Sequence, residues 1–138
     1  MSKIHSSVGH ILLLIHDYEK NILLYREMFK YFGYEFSMDS EYGIGVQTGG
    51  PSVWVMKATD ETKNNRDSNG LNHFGFHVES KEEVDTFIAE FLKPNNIKCL
   101  FDTPKDRPEF FDAEKGGEYY QVMFEFPGSV LFEVVYTK

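Results

Sequence analysis

Glu133 is the residue that most strongly suggests chemistry, because its carboxylate interrupts the apolar run Val-Leu-Phe-Glu-Val-Val-Tyr. A strand of this composition should be largely buried, and an isolated buried carboxylate needs a hydrogen-bond partner, a proton or a metal ion. His10 and His73 stand in similarly apolar strands. Two imidazoles and one carboxylate suit a divalent transition metal and leave coordination positions open for water or substrate.

Each of these residues also has an ordinary structural interpretation. A single strand histidine is more often a hydrogen-bonded core residue than a ligand, and a single strand glutamate often lies on an exposed edge. Spacing alone does not show that Glu133 joins the two histidines. His77 shares a strand face with His73, so it is a candidate base or a residue that supports the ligands, and equally a core histidine bonded to the backbone.

The first half of the chain predicts a strand, a helix and three further strands. Residues 8–15 form the strand that carries His10. Asp17 is a suitable N-cap and Gly33 a suitable C-terminal cap for a helix of about fifteen residues. Apolar residues recur along it at the spacing of one buried face, namely Tyr18, Ile22, Tyr25, Phe29 and Phe32. The three strands that follow lie at 34–38, 42–48 and 52–58.

The second half repeats this order. A strand at 71–78 carries His73, and Ser80 with Glu83 forms a capping box for a helix that Pro94 ends. His10 and His73 therefore fall at equivalent points of the two halves, 63 residues apart. The apolar face of this second helix contains Val84, Phe87, Ile88, Phe91 and Leu92. The later strands are predicted at 97–101, 119–126 and 130–136, with a long polar loop at 103–118.

The internal repeat predicts one α+β domain over residues 1–138. It would consist of two βαβββ modules, at about 5–58 and 71–138, joined by a polar linker at 59–70. Each half alone would leave a sheet face uncovered, so we expect the two halves to pack together.

Charge and composition exclude several classes of function. Acidic residues number 22 against 14 basic ones, and a net charge of -8 disfavours binding to nucleic acid or to an anionic membrane. The apolar run at 11–15 is too short for a membrane span or a signal peptide. Cys99 is the only cysteine, so nothing indicates an oxidising compartment. We therefore expect a cytoplasmic protein, and its aromatic content of 16% fits an aromatic core or a ligand cavity.

Three segments resemble motifs of the vicinal oxygen chelate superfamily, which groups glyoxalase I, fosfomycin-resistance proteins, extradiol dioxygenases and bleomycin-binding proteins. They are Gly-His-Ile-Leu-Leu-Leu-Ile-His-Asp from Gly9, Asn-His-Phe-Gly-Phe-His-Val-Glu from Asn72 and Glu-Phe-Pro-Gly-Ser-Val-Leu-Phe-Glu from Glu125. The last is a degraded version of the usual Asp-Pro-Asp-Gly motif, but the interval from Pro127 to Glu133 is the family's. The resemblance covers nearly the whole chain and implies two βαβββ modules that curl into an open barrel around a metal.

The resemblance places His10, His73 and Glu133 at the ligand positions of one divalent transition metal, without distinguishing Fe, Mn, Ni, Co and Zn. Glyoxalase I has a further ligand glutamate on the fourth strand of its first module. Counting back from His73 without gaps puts Val55 there, with Trp54 adjacent, and neither can bind a metal. Glyoxalase I activity is therefore not expected.

The dioxygenases and fosfomycin-resistance enzymes usually have a tyrosine ten residues before the ligand glutamate, and Met123 stands there in this chain. Glu133 and His77 are the implied catalytic residues. The loop around Arg107, Phe110 and Phe111 is either a lid or an ordinary surface loop. The residues implied in substrate binding are Trp54, Val55, Tyr119, Gln121, Met123 and Arg107.

The sequence therefore predicts a small metal-dependent enzyme that chelates vicinal oxygens of a small molecule. Lyase, isomerase, transferase and dioxygenase chemistry all remain open. The alternative is a protein that binds or sequesters a small molecule without turnover, as bleomycin-resistance proteins do. A homodimer is expected by family analogy, with the modules paired within one chain or swapped between two.

Overall fold

The computed structural model describes residues 4–60 and 62–138. They form eight strands and two helices, and they divide into two compact units with a boundary between residues 63 and 64. Each unit contains one strand, one helix and three more strands, so the predicted α+β class and the repeated βαβββ order are confirmed. The boundary lies inside the predicted linker, while the prediction of a single domain remains a prediction. Neither helix in this part of the chain is long and apolar enough to span a membrane.

The first unit is a four-stranded mixed sheet with one helix. The strands have the order β1-β4-β3-β2, and β1 runs parallel to β4 while the other pairs are antiparallel. The elements are β1 (His10–Ile15), α1 (Tyr18–Tyr31), β2 (Glu35–Asp39), β3 (Gly43–Gln47) and β4 (Ser52–Lys57).

The second unit has the same topology, with the strand order β5-β8-β7-β6 and β5 parallel to β8. Its elements are β5 (His73–His77), α2 (Lys81–Phe87), β6 (Leu100–Asp106), β7 (Tyr119–Phe126) and β8 (Val130–Thr137). A π-helical turn at Ile88–Leu92 continues α2, and two 3-10 turns at Pro108–Phe110 and Ala113–Lys115 connect β6 to β7.

The ends of α1 show which capping predictions hold. Gly33 takes a φ of 72°, its N–H donates to the carbonyl of Lys30, and the N–H of Tyr34 donates to the carbonyl of Phe29. This is a Schellman motif, so the predicted glycine cap is confirmed. Asp17 occupies the N-cap position, but its backbone is left-handed and its side chain caps nothing. The predicted N-cap position is therefore confirmed, but the side-chain hydrogen bond usual for an aspartate there is absent.

The start of α2 matches its prediction more closely. The Ser80 hydroxyl accepts a hydrogen bond from the N–H of Glu83 at 3.2 Å. The Glu83 carboxylate in turn accepts from the N–H of Glu79 at 2.6 Å, one residue earlier than in a standard capping box. All five residues predicted for the apolar face of this helix are buried, namely Val84, Phe87, Ile88, Phe91 and Leu92.

The boundaries predicted for the strand at 97–101 and the loop at 103–118 are wrong, because β6 runs from Leu100 to Asp106 and only residues 107–118 connect it to β7. Phe101 and Asp102 both have positive φ angles, and the ladder to β7 shifts register between Leu100 and Lys105. The Thr103 hydroxyl bridges this irregularity, donating to the carbonyl of Leu100 and accepting from the N–H of Met123. A bulged edge strand needs no apolar alternation, so a polar sequence can form it.

One face of the second sheet packs against α2 through a cluster of aromatic rings. Phe132 is fully buried at its centre. Its ring centroid lies between 5.2 and 6.1 Å from those of Phe74, Phe76, Phe124 and Phe126. In the first unit, the face toward α1 is formed by aliphatic side chains that are likewise buried, namely Leu13, Ile15, Val53 and Val55.

Tyr120 should make stability depend on pH in alkaline solution. Its hydroxyl donates to Asp85 at 2.8 Å, and burial together with this carboxylate raises its pKa from 10.0 to about 12. The folded state therefore favours the neutral phenol, so this contribution is complete below pH 10 and is lost as the pH rises toward 12. Urea unfolding at about pH 8 and about pH 11 should show a smaller alkaline loss of stability in Tyr120→Phe than in the wild type. Exposed Tyr42 provides the control, because Tyr42→Phe should keep the wild-type loss; equal losses in all three proteins would contradict the assignment.

Candidate functional site

Most of the predicted site residues lie on the face of the second sheet opposite the aromatic cluster. In the ladders, Glu133 lies between Gly75 of β5 and Met123 of β7. Alternate residues of a strand share a face, so this face also carries His73, His77, Tyr119 and Gln121. One sheet face therefore holds two imidazoles, a carboxylate, a phenol and an amide.

Glu133 is buried, with 3% of its surface exposed, as the apolar strand predicts. Both of its carboxylate oxygens have partners. The hydroxyl of Tyr119 donates to Oε1, and Oε2 lies 3.2 Å from Nε2 of His73. The sequence predicts a buried carboxylate that needs partners, and the structure identifies two of them.

His73 is oriented by its neighbour in the chain. Its Nδ1 lies 2.7 Å from Oδ1 of Asn72, and its side chain is 39% exposed. In the tautomer that donates from Nδ1 to Asn72, Nε2 presents its lone pair toward Oε2 of Glu133. Two electron-pair donors then face each other, and a proton or a metal cation between them would satisfy both.

Gly75 keeps the space beside this pair open. A Cβ atom built on it would lie 3.6 Å from Oε2 of Glu133, so any larger side chain would cover the carboxylate. The lone pairs of His73 and Glu133 and the open space at Gly75 suit a metal ion. Within residues 4–60 and 62–138, however, no group of three or more His, Cys, Asp or Glu side chains forms a metal site. His10 is an exposed residue of the first unit, and its place in the ligand set remains a prediction.

Tyr119 provides the phenol hydroxyl beside Glu133. The family pattern places a tyrosine at position 123, but this chain has Met123 there, directly opposite Glu133 on the neighbouring strand. Burial, the hydrogen bond to Glu133 and its negative charge all raise the pKa of Tyr119, in that order. The phenol therefore stays protonated and donates to the carboxylate. Tyr119 could have been identified from the sequence because it shares a face of β7 with Met123, and a tyrosine side chain is long enough to reach a residue further along β8.

The register of the first sheet shows which residue of the first unit is equivalent to Glu133, and this residue differs from the predicted one. Leu12 pairs with Trp54 in β1 and β4, as Gly75 pairs with Glu133 in β5 and β8. Trp54 is therefore the equivalent residue, not Val55. Val55 is fully buried on the opposite face, so its prediction as a substrate contact is wrong. Tryptophan cannot bind a metal either, so glyoxalase I activity is still not expected.

The other predicted site residues are Gln121, His77 and Arg107. Gln121 is buried, with 4% of its surface exposed. His77 is exposed and pairs with Val135, about 13 Å along the strand from His73, which is too far to share one metal position with it. Its catalytic role remains a prediction. Arg107 directly follows β6, and the segment after it forms 3-10 turns with Phe110 and Phe111 exposed.

The fold is shared with solved proteins. A glyoxalase candidate from Bacillus halodurans has a TM-score of 0.75 to this chain at 23% identity, over 94% of each chain. The chain has the glyoxalase/bleomycin-resistance/dioxygenase fold. This confirms, at the level of the fold, the resemblance to the vicinal oxygen chelate superfamily.

Two further structures with the glyoxalase/bleomycin-resistance/dioxygenase fold give the same result. A glyoxalase/bleomycin resistance protein from Albidiferax ferrireducens has a TM-score of 0.69 at 15% identity, over 93% of this chain and 97% of its own. Lactoylglutathione lyase from Agrobacterium tumefaciens has a TM-score of 0.67 at 17% identity, over 96% and 95%. No family model and no curated protein matches the sequence. The TM-scores establish the fold. Identities of this size do not establish the activity, which has to be argued from the residues of the site.

Proposed function

We propose that this protein is a metal-dependent enzyme that chelates vicinal oxygens of a small-molecule substrate. The supporting observation is that Nε2 of His73 and Oε2 of the buried Glu133 face each other at 3.2 Å beside the open position at Gly75. We further propose that His10 completes the ligand set. One divalent transition metal is the expected cofactor.

The side chains around this pair have distinct roles in the proposal. Asn72 holds the His73 ring so that Nε2 faces Glu133, and Tyr119 occupies Oε1 of Glu133 so that Oε2 is the oxygen that faces His73. A bound divalent metal would act as a Lewis acid that stabilises negative charge on substrate oxygens. Tyr119 is a hydrogen-bond donor at neutral pH, as an ordinary phenol is, and its bond to Glu133 holds the carboxylate in place.

Metal titration is the direct test. Protein stripped with chelator would be titrated calorimetrically with Zn²⁺, Mn²⁺, Ni²⁺, Co²⁺ and Fe²⁺, and about one ion per chain should bind. His10→Ala, His73→Ala and Glu133→Gln should each weaken binding by more than about tenfold, since each removes a ligand. Tyr119→Phe should weaken it by about 10- to 100-fold while one ion still binds, since it removes only the support of Glu133.

His77→Gln is the matched control for His73→Ala. Both histidines lie on the same face of β5, but only His73 contacts Glu133. The control should bind the metal like the wild type, and circular dichroism should show that all variants are folded. Unchanged metal affinity in His73→Ala and Glu133→Gln would disprove the site, and unchanged affinity in His10→Ala alone would remove His10 from it. A metal-dependent rate with a panel of the family's substrates would then establish the enzyme.

A binding protein without turnover is the second candidate, and the first sheet provides its support. Leu12 and Leu14 are 51% and 55% exposed on the face that also carries Trp54 and His10, so part of this face is apolar. Anilinonaphthalene sulfonate would serve as an apolar probe, with Trp54 fluorescence as the readout. Tight binding that survives chelator and Glu133→Gln, without any metal-dependent rate, would favour this function.

We also propose a cytoplasmic location, because the apolar run at 11–15 is short and Cys99 is the only cysteine, and a homodimer by family analogy. Analytical ultracentrifugation of the purified protein would show whether the chain dimerises. A mass of one chain at micromolar concentration would contradict the dimer.

A further inference from the structure

The polar segment at 64–72, most of it predicted as a linker, is fastened to the second sheet. Nδ2 of Asn64 donates to the carbonyl of Ser129, in the turn between β7 and β8, at 2.9 Å. Nη1 of Arg66 lies 3.3 Å from Oε1 of Glu125 on β7. These residues belong to the second compact unit, which begins at Asn64. The segment that leads into β5 is therefore held at two points before the chain reaches His73.

Asn72 connects this segment to the His73 ring. Its Nδ2 donates to the main-chain carbonyl of Arg66 at 2.9 Å, and its Oδ1 lies 2.7 Å from Nδ1 of His73. A main-chain carbonyl can only accept a hydrogen bond, so the amide NH₂ must face Arg66 and the amide oxygen must face the ring. That oxygen can only accept as well. The hydrogen of this contact therefore belongs to Nδ1 of His73.

The distances on the two sides of the ring agree with this assignment. The contact of Nδ1 with Asn72 is 2.7 Å, whereas Nε2 lies 3.2 Å from Oε2 of Glu133. A charge-assisted bond from nitrogen to a carboxylate is usually about 2.7–2.9 Å long. A neutral ring with its hydrogen on Nε2 would donate to Glu133 and close the pair to any ligand. With the hydrogen on Nδ1, the lone pair of Nε2 stays available to a metal.

We propose that the segment at 64–72 is a positioning element of the metal site, in which the Arg66 carbonyl acts through Asn72 to fix the His73 tautomer that binds a metal. This inference rests on the proposed function, because it concerns a ligand of that same site. Asn72 is a positioning residue, since it contacts the ligand ring and not the metal position. It prevents a hydrogen bond from His73 to Glu133 that a metal would otherwise have to displace.

The ring ¹⁵N shifts of His73 in metal-free protein, together with calorimetric titration of Zn²⁺, test the proposal. The two neutral tautomers give different shifts at Nδ1 and Nε2, and they are compared at a pH where the ring is neutral. The wild type should carry the hydrogen on Nδ1. Asn72→Leu removes the acceptor, so the hydrogen should move to Nε2 and donate to Glu133, and Zn²⁺ affinity should fall by about 10- to 100-fold.

Asn72→Asp is the conservative variant that should preserve the function. A carboxylate only accepts in every orientation, so it fixes the hydrogen on Nδ1 without help from the Arg66 carbonyl. This variant should keep the wild-type tautomer and bind Zn²⁺ at least as tightly as the wild type. Because position 72 is exposed, we expect both variants to fold, and circular dichroism would verify it.

Asn64→Leu is the matched control. It also removes a bond from an asparagine amide to a main-chain carbonyl in the same segment, but Asn64 does not contact His73. The control should keep the wild-type tautomer and affinity. A wild type with its hydrogen on Nε2, an unchanged tautomer in Asn72→Leu, an equal change in Asn64→Leu, or loss of Zn²⁺ affinity in Asn72→Asp would each overturn the proposal.

The two readouts separate this proposal from the proposed function. A hydrogen on Nδ1 that depends on Asn72, without Zn²⁺ binding, would show that the segment sets the tautomer but that the metal site is absent. Binding of Zn²⁺ by a wild type whose neutral ring carries its hydrogen on Nε2 would keep the metal site and reject the role of Asn72.

Discussion

Phe132→Ala is expected to lower the free energy of unfolding by about 3–5 kcal/mol. The Phe132 ring is fully buried and contacts the rings of Phe74, Phe76, Phe124 and Phe126. Its removal would leave a cavity bounded by rings that β5 and β7 hold in place, so collapse would be limited. Urea denaturation followed by far-ultraviolet circular dichroism would measure the change.

Phe101→Ala is a suitable control for Phe132→Ala. The Phe101 ring is 51% exposed and has a stacking contact with Arg66, so its loss should cost about 1 kcal/mol or less. A similar loss in the two variants would mean that the aromatic cluster does not dominate the core of the second unit.

Gly45→Ala is expected to destabilise the protein by about 1–3 kcal/mol and to move the emission of Trp54. A Cβ atom at position 45 would lie 2.6 Å from two carbons of the indole ring, well inside contact distance. The indole lies across β3 at this glycine and donates from Nε1 to the Ser52 hydroxyl at 3.0 Å, so it cannot shift without losing that bond. Trp54 is the only tryptophan, and a red shift of fluorescence would therefore report its displacement directly.

Gly9→Ala provides the comparison for Gly45→Ala. A Cβ atom on Gly9 would meet no atom within 4 Å, so stability should change by less than about 0.5 kcal/mol and the emission should stay constant. Wild-type stability and emission in Gly45→Ala would show that the indole does not rest on β3.

The elements were largely predictable because their hydrophobic periods are clear. The helix faces at Tyr18–Phe29 and Val84–Leu92 and the alternation in β7 follow directly from side-chain spacing. The edge strand β6 was not predictable, because the bulge at Phe101 and Asp102 and the bonds of Thr103 replace the apolar pattern. Asp17 was predicted as the N-cap from its residue type and occupies that position, but its backbone is left-handed and its side chain makes no capping bond.

The residues of the candidate site were predictable, but the contacts between them were less so. A carboxylate within an apolar strand indicated burial and partners, which the structure shows for Glu133. Trp54 was passed over for Val55 because residue counting across a connection is uncertain by one, and one residue on a strand changes the face. The contact of Tyr119 with Glu133 depends on the register of β7 against β8 and on the reach of a phenol, and neither is visible in one sequence.

The position of β8 in its sheet has a consequence for synthesis on the ribosome. β8 is the last strand of its unit in the chain, yet it lies between β5 and β7 and supplies Glu133. β5 ends at His77, about 50 residues before β8 begins at Val130, and this separation takes roughly 3–10 s at ordinary translation rates. During that interval β5 has no central strand to join, and its backbone edge and phenylalanine side chains are open to chaperones. A nascent chain arrested before β8 should therefore show a protease-sensitive second unit.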